Sequence, residues 1–346
     1  MTKQRLNKAG KETQAPMSID TANGMSFSPS EGSFEKRMAL LIEVLRGQSA
    51  LLLLIGMITA ASLLSDVFLT PRNIVNIIRA VSVIGIVSLG QTLLIITCNF
   101  DMSVSSVVAF SGILAVGTQS LGLVPSVIIG LLGGILVGFI NGIIVSKTKA
   151  NSFLITLGMQ IFVYSISLIF TRARTLYGKI PAFNVLGRGD LWGFLPISVI
   201  IFLSLALIFK FVLKWCIYGR NLYAIGGNEE ACRLAGISTD ILKIVTFTIC
   251  GFTAALAGVI LTSRLNSTTA NAGFGMEFES IIAVVLGGTN LFGGSGGTLK
   301  TIWGVLILGV LTNLLILMNV PYEGQIIIKA LLFLGVVSIN ILTRKQ

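Results

Sequence analysis

Few side chains in this sequence are equipped for chemistry, and their placing limits what that chemistry is. The ionisable groups that fall within or beside long apolar stretches are Asp101 in NFDMSVSS, Lys329 in QIIIKALLFL, and Glu323 just before that run. A charge in lipid is costly and is kept for a purpose, as an ion pair, a relay or a ligand. Three such groups are a poor equipment for a proton- or sodium-coupled carrier, which buries several. The chain has no histidine, which removes hydrolytic triads. Cys98, Cys216, Cys232 and Cys250 show no CxxC spacing, so each is expected to pack as a small apolar group rather than hold a metal or a disulfide. The glycine cluster GGSGG (293–297) runs on into Thr298 and Leu299, not into the GK[ST] of a phosphate cradle. These patterns give no catalytic residue, no metal site and no cofactor.

Three polar groups stand out instead. The first is YAIGGNEEACRLAGIS, which runs from Gly226 and Gly227 through Asn228, Glu229, Glu230, Ala231, Arg233 and Leu234 to Gly236. Good helix formers held between glycine hinges predict a short helix of about two turns. Glu229 and Glu230 suit the positive end of its dipole, and Arg233 follows them at the spacings that allow an internal pair. On residue chemistry alone this is a solvated loop helix, unless a partner docks there. The second group is Asn73, Asn76 and Arg79, at helical spacing behind Thr70 and Pro71, an N-cap and first-turn signature. Such residues either snorkel to the interface or line a water-filled path. The third group is Asp101, placed to cap a helix starting near Ser103 or, alternatively, to touch a substrate; Asn290, in TNLFGGSGG, completes the translocation-path candidates.

The elements that must position these residues are apolar helices. The chain is 54% hydrophobic and 11% charged, a composition that excludes an ordinary soluble domain. Membrane-length apolar runs occur at 49–69, 74–98, 104–121, 124–145, 153–170, 197–211, 245–261, 280–292, 302–317 and 325–342, which predicts an all-α polytopic membrane protein of about ten transmembrane helices. The eighth run is short and ends in LFGGSGG, as a broken or partial helix would. Residues 1–47 are polar, mixed in charge and without a signal-peptide core, so they are expected to form a disordered cytoplasmic tail, with 48–346 as the transmembrane domain. The net charge of +11 is a topology signal rather than a nucleic-acid surface, because most basic residues sit in the tail or in short loops. Placing Lys147, Lys149, Lys214, Arg220, Arg233, Lys243, Lys300, Arg344 and Lys345 inside puts both termini and 218–241 in the cytoplasm. The 171–193 loop and the segment around ANAGFGMEFES are then outside.

Five blocks carry a family resemblance: FLTPRNIVNIIR, FDMSVSSVVAFSG, GRNLYAIGGNEEACRLAGI, AVVLGGTNLFGGSGG and QIIIKALLFL. Together they span nearly all of the chain after the tail. The sequence resembles the permease subunits of bacterial ABC sugar importers of the ribose type, the branch that includes xylose, arabinose, allose, galactofuranose and autoinducer-2 permeases. The resemblance implies that 226–236 is the coupling helix, related to an EAAxxxG pattern, which docks on a separate ATPase subunit. It also implies a soluble sugar-binding protein outside, a second permease copy or paralogue, a sugar substrate, and a bacterial cytoplasmic (inner) membrane location. The permease itself would catalyse no reaction. Cys232 departs from the small or hydroxyl residue common in the coupling pattern, and Asn99 and Ser105 stand where glycines are typical. The alternative class is a self-sufficient ion-coupled secondary transporter.

Overall fold

Apolar runs broken by proline, glycine and polar residues become separate helices, and the computed structural model describes them over residues 49–344, with side chains described for 50–338. The tail expected at 1–47 lies outside the described residues. In chain order the helices are α1 (Ser49–Leu64), α2 (Pro71–Ile96), α3 (Val104–Gly117), α4 (Leu123–Thr148), α5 (Ser152–Thr171), α6 (Val185–Arg188) and α7 (Ile197–Trp215). They continue with α8 (Ile217–Gly227), α9 (Glu229–Leu234), α10 (Thr239–Leu265), α11 (Met276–Leu286), α12 (Thr298–Leu317) and α13 (Tyr322–Arg344). Each of the ten apolar runs coincides with one helix; α6, α8 and α9 lie in the polar connections. By length and composition six described helices, α2, α4, α5, α7, α10 and α12, can cross a membrane, and Ala50–Leu64 and α3 are shorter apolar helices. The eighth run is helical only as far as Leu286, and its glycine-rich remainder turns back as a loop.

The start of α2 follows its sequence signature in part. Thr70 is extended and Pro71 occupies the first turn, as the fixed φ of proline favours. The Thr70 hydroxyl, however, donates to the Val67 carbonyl instead of capping the helix. From Val81 to Ile96 α2 is buried throughout, so it forms the centre of the bundle. Against it lies α10, which in turn lies on α4. Gly130, Gly134, Gly138 and Gly142 recur every fourth residue of α4. A Cβ on Gly138 would stand 2.3 Å from the Phe247 carbonyl oxygen, and one on Gly251 2.3 Å from that of Gly134. Only small residues permit backbones this close, which is how helices pack where lipid offers no hydrophobic driving force.

The polar connections sit at opposite ends of α7 and α10. At one end the chain from 172 to 196 folds over α10. Strand β1 (Leu176–Tyr177) pairs antiparallel with β4 (Ser267–Thr268), and β2 (Asp190–Leu191) with β3 (Leu195–Pro196). The Gly187 amide donates to the Ser263 hydroxyl, which donates to the Phe183 carbonyl. At the other end α7 passes through Cys216 into α8, α9 and the start of α10. With 19 residues in α7 and a rise of about 1.5 Å each, roughly 28 Å separate the two ends, the thickness of a bilayer core.

Candidate partner-docking and translocation sites

The polar segment around Gly226 is two helices rather than one. Gly226 and Gly227 close α8, which began at Ile217, and Asn228 breaks the helix in extended conformation before α9. The glycine pair is therefore no hinge at the start of α9. What requires glycine at 226 is proximity, since a Cβ there would lie 1.9 Å from the Ile96 carbonyl oxygen and 2.4 Å from the Gly294 amide nitrogen. The end of α2, the end of α8 and the glycine loop 287–297 interlock at this point. The Gly294 amide donates to the Ile96 carbonyl, the Tyr223 hydroxyl donates to the Gly296 carbonyl at 3.0 Å, and the Cys98 thiol lies against the carbonyls of Phe292 and Gly226. Burial pushes the Tyr223 phenol above its ordinary pKa, so it is a neutral donor in this contact. Asn290 belongs to the same loop: its Oδ1 accepts from the Phe292 amide, and its backbone bonds Ser295 and Gly293. Its side chain thus shapes the loop.

α9 is closed by Gly236, the glycine end read from the sequence, and opens on a cap at Asn228 that the sequence reading did not assign. Asn228 Oδ1 accepts from the Ala231 amide at 3.0 Å. The helix closes when the Gly236 amide donates to Arg233 and the Ile237 amide to Cys232, with Gly236 at φ +83°, a left-handed C-cap that glycine adopts without strain. Two faces result. Inward, Cys232 is buried, and Glu229 pairs with Arg233 at 3.3 Å and with Lys243 at 2.7 Å. Outward, Asn228, Glu230 and Ala231 are exposed, and Leu234 is 83% exposed. The internal pair falls to Glu229, and among the described residues Glu230 has no ion-pair partner.

The translocation candidates are separated. Asn73 is buried and exchanges two hydrogen bonds with Asn313 of α12, at 2.9 and 2.8 Å, while also donating to the Phe68 carbonyl. Its amide clamps α2 to α12. Asn76 is exposed, and both asparagines line a cavity of about 480 Å³ that Arg264, Glu279 and Thr312 also border. Arg79 does not border this cavity; its Nη2 donates to both carboxylate oxygens of Asp190 at 2.6 and 2.8 Å and to the Arg188 carbonyl. Asp101 is fully buried; its Oδ1 accepts from the amide and hydroxyl of Ser103 at 2.8 and 2.6 Å, which holds the turn before α3 and not the first amides of that helix, whose N-cap residue is Ser103. The Gln91 amide group secures the same turn by bonding the Asp101 backbone in both directions. Lys329 pairs with Glu279.

Several buried or half-buried polar residues escaped sequence reasoning, among them Gln91, Asn141, Gln160 and Glu277. The first three are single amides inside apolar runs, and that isolation was the available signal. Glu277 lies in the first turn of α11, upstream of the run at 280–292, so hydropathy placed it in an exterior loop. It is only 3% exposed.

Comparison with known proteins agrees with the resemblance carried by the five blocks. The protein belongs to the family described as branched-chain amino acid transport system / permease component, which matches residues 73–337. It is 37% identical over 293 residues to the ribose import permease protein RbsC of Bacillus subtilis, covering 82% of this chain and 89% of that one. The D-allose transport system permease protein AlsC of Escherichia coli is 33% identical, with 82% and 88% covered. The L-arabinose transport system permease protein AraH of the same organism is 35% identical, with 78% and 83% covered. These relatives are named as permeases rather than enzymes. No solved structure matches.

Proposed function

We propose that this chain is the membrane permease subunit of an ATP-driven importer for a monosaccharide, in the bacterial cytoplasmic membrane. About ten apolar helices lie in the bilayer, α11 as a partial helix that ends at Leu286, with α8–α9 and both termini in the cytoplasm and 172–196 outside. An ABC ATPase subunit docks on α9, a second permease copy or paralogue completes the membrane unit within the lipid, and a soluble sugar-binding protein delivers substrate to the outer face. The observation that carries the reading is the division of α9. Its inner face is ion-paired within the chain, while its outer face presents Glu230, Ala231 and Leu234 to solvent. A loop helix with no partner gains nothing from displaying leucine, whereas an exposed apolar residue rimmed by charge suits a protein interface. The interlock at Gly226 supplies a route of transmission, because a push on α9 reaches α2 and the glycine loop through backbone contacts.

ATPase activity stimulated by loaded binding protein in proteoliposomes tests this, with inserted permease quantified in parallel. Glu230→Lys and Gly236→Trp are expected to abolish stimulation at unchanged insertion; normal stimulation and transport in both would remove the docking role. For topology, cysteines placed at Asn228 and Lys179 in a cysteine-free chain are expected to differ, only Lys179→Cys reacting with an impermeant reagent on intact cells. The alternative, an ion-coupled secondary transporter, requires the purified chain alone to accumulate sugar under an imposed proton or sodium gradient. We expect none.

A further inference from the structure

A buried carboxylate with half of its bonding capacity unused lies between two further cavities, on a helix other than α9. Glu277 Oε1 accepts from Gln160 Nε2 at 3.1 Å, and the same amide nitrogen donates to the Ser105 hydroxyl at 2.9 Å. Glu277 Oε2 has no partner among the described residues although its surroundings are closed, and no described cation pairs with the carboxylate. Leaving a carboxylate oxygen buried and unbonded is expensive, so such a group points to a ligand.

The surroundings say what kind. On one side Gln160 borders a cavity of about 330 Å³ shared with Ser105, Ser106, Tyr164, Asn271 and Phe274. The side chains of Tyr164 and Asn271 make no hydrogen bond among the described residues. On the other side Glu277 itself borders a cavity of about 400 Å³, with Tyr322, Lys329 and, again, Phe274. Phe274 is 65% exposed, borders both cavities and precedes Gly275 at φ +88°. Hydroxyls and amides that can both donate and accept, one carboxylate with a spare oxygen, and one open aromatic face are complementary to a ring bearing several hydroxyls and an apolar C–H face. A bare cation would need six or more oxygens within about 2.6 Å, a much tighter cage than these volumes. The sizes are those of small-molecule sites, and Gln160 lies midway along α5.

We propose that the Gln160–Glu277 pair is a binding point for a neutral polyhydroxylated molecule near mid-membrane, with Phe274 as its platform. The inference rests on the sugar-permease reading for the choice of probe but not on the ATPase partner. Ile161 borders the same cavity and serves as reporter. In a cysteine-free chain in nanodiscs, Ile161→Cys is labelled with N-ethylmaleimide in D-ribose up to 200 mM, and separately in sodium chloride and glycine betaine. D-Ribose is expected to slow labelling at least threefold while the other two do not. Glu277→Gln removes the charge at nearly constant shape and is expected to raise the half-protecting concentration roughly tenfold or more, the weight of a hydrogen bond to a charged group; Asp66→Asn, at an exposed carboxylate that borders neither cavity, leaves it unchanged. Should Glu277→Gln not be recovered folded, Gln160→Leu is read in its place. Absence of ribose protection, protection by sodium chloride alone, or equal protection in Glu277→Gln overturns the proposal. Protection that depends on Glu277 in a chain whose transport ignores ATP would keep this site and remove the importer reading. ATP-driven transport without protection would do the reverse.

Discussion

The two ends of the bundle both carry charged residues on short irregular segments, yet they commit them differently. At the 172–196 end Arg79 holds Asp190 and the Arg188 carbonyl, and the Arg188 side chain donates to the Arg264 carbonyl; these polar groups fasten that segment to the helices. At the α8–α9 end the fastening is done by backbone contacts at Gly226 and by the Glu229 pairs, and the remaining polar and apolar side chains of α9 face outward uncommitted. Both ends also present side chains to solvent, Trp192 and Phe194 at the first and Glu230 and Leu234 at the second; the difference lies in how each segment is fastened, by side-chain bonds at the first and by backbone proximity at the second.

The largest effect that sharpens this contrast belongs to the outer face of α9. Leu234→Asp is expected to weaken ATPase binding by about 2 kcal/mol or more, roughly thirtyfold, and Glu230→Lys by about 2–5 kcal/mol. Titration of detergent-purified permease with the ATPase subunit measures both, and thermal stability of the permease alone should be unmoved. Equal binding by Leu234→Asp would make α9 as self-contained as the opposite end. Next in size is the interlock. Gly226→Ala forces a methyl against Ile96 and Gly294 and is expected to destabilise the chain by about 1–3 kcal/mol, whereas Gly227→Ala meets nothing within 4 Å and is expected to be neutral or slightly stabilising. A differential thermal-unfolding measurement of the two variants reads this directly; indistinguishable midpoints would remove the close packing.

At the opposite end the Arg79–Asp190 pair is bidentate but partly exposed, with side chains 19% and 31% accessible. A double-mutant cycle with Arg79→Ala and Asp190→Ala is expected to return a coupling of about 1 kcal/mol or less, falling with salt. A larger, salt-insensitive coupling would mean that this end is held by its charges rather than by the backbone pairing of β1 with β4.

Hydropathy made the helices legible because each span must bury its backbone polarity in its own hydrogen bonds and present apolar side chains. The glycine end of α9 was legible because Gly236 acts within one turn of chain, whereas the Asn228 cap went unread. Residues whose role depends on distant chain were not. Asn73 reads as a polar stripe until Asn313 is brought to it, Gly226 reads as a hinge until Gly294 and Ile96 close around it, and Glu277 reads as loop because its burial comes from Gln160 and the surrounding helices.

The smallest effect separates the two faces of α9 itself. Glu229 and Arg233 are about one-third exposed, so their pair is screened by water and contributes only a few tenths of a kcal/mol, with Lys243 adding a similar amount. Glu229→Gln is therefore expected to leave thermal stability nearly unchanged and ATPase binding within about twofold of the parent. Two residues of the same type, adjacent in sequence, then differ because one is turned inward to Arg233 and Lys243 and the other outward. If Glu229→Gln weakened ATPase binding as much as Glu230→Lys, the inner pairs would open on docking, and the interface would reach under α9 to the start of α10 instead of resting on its outer face alone.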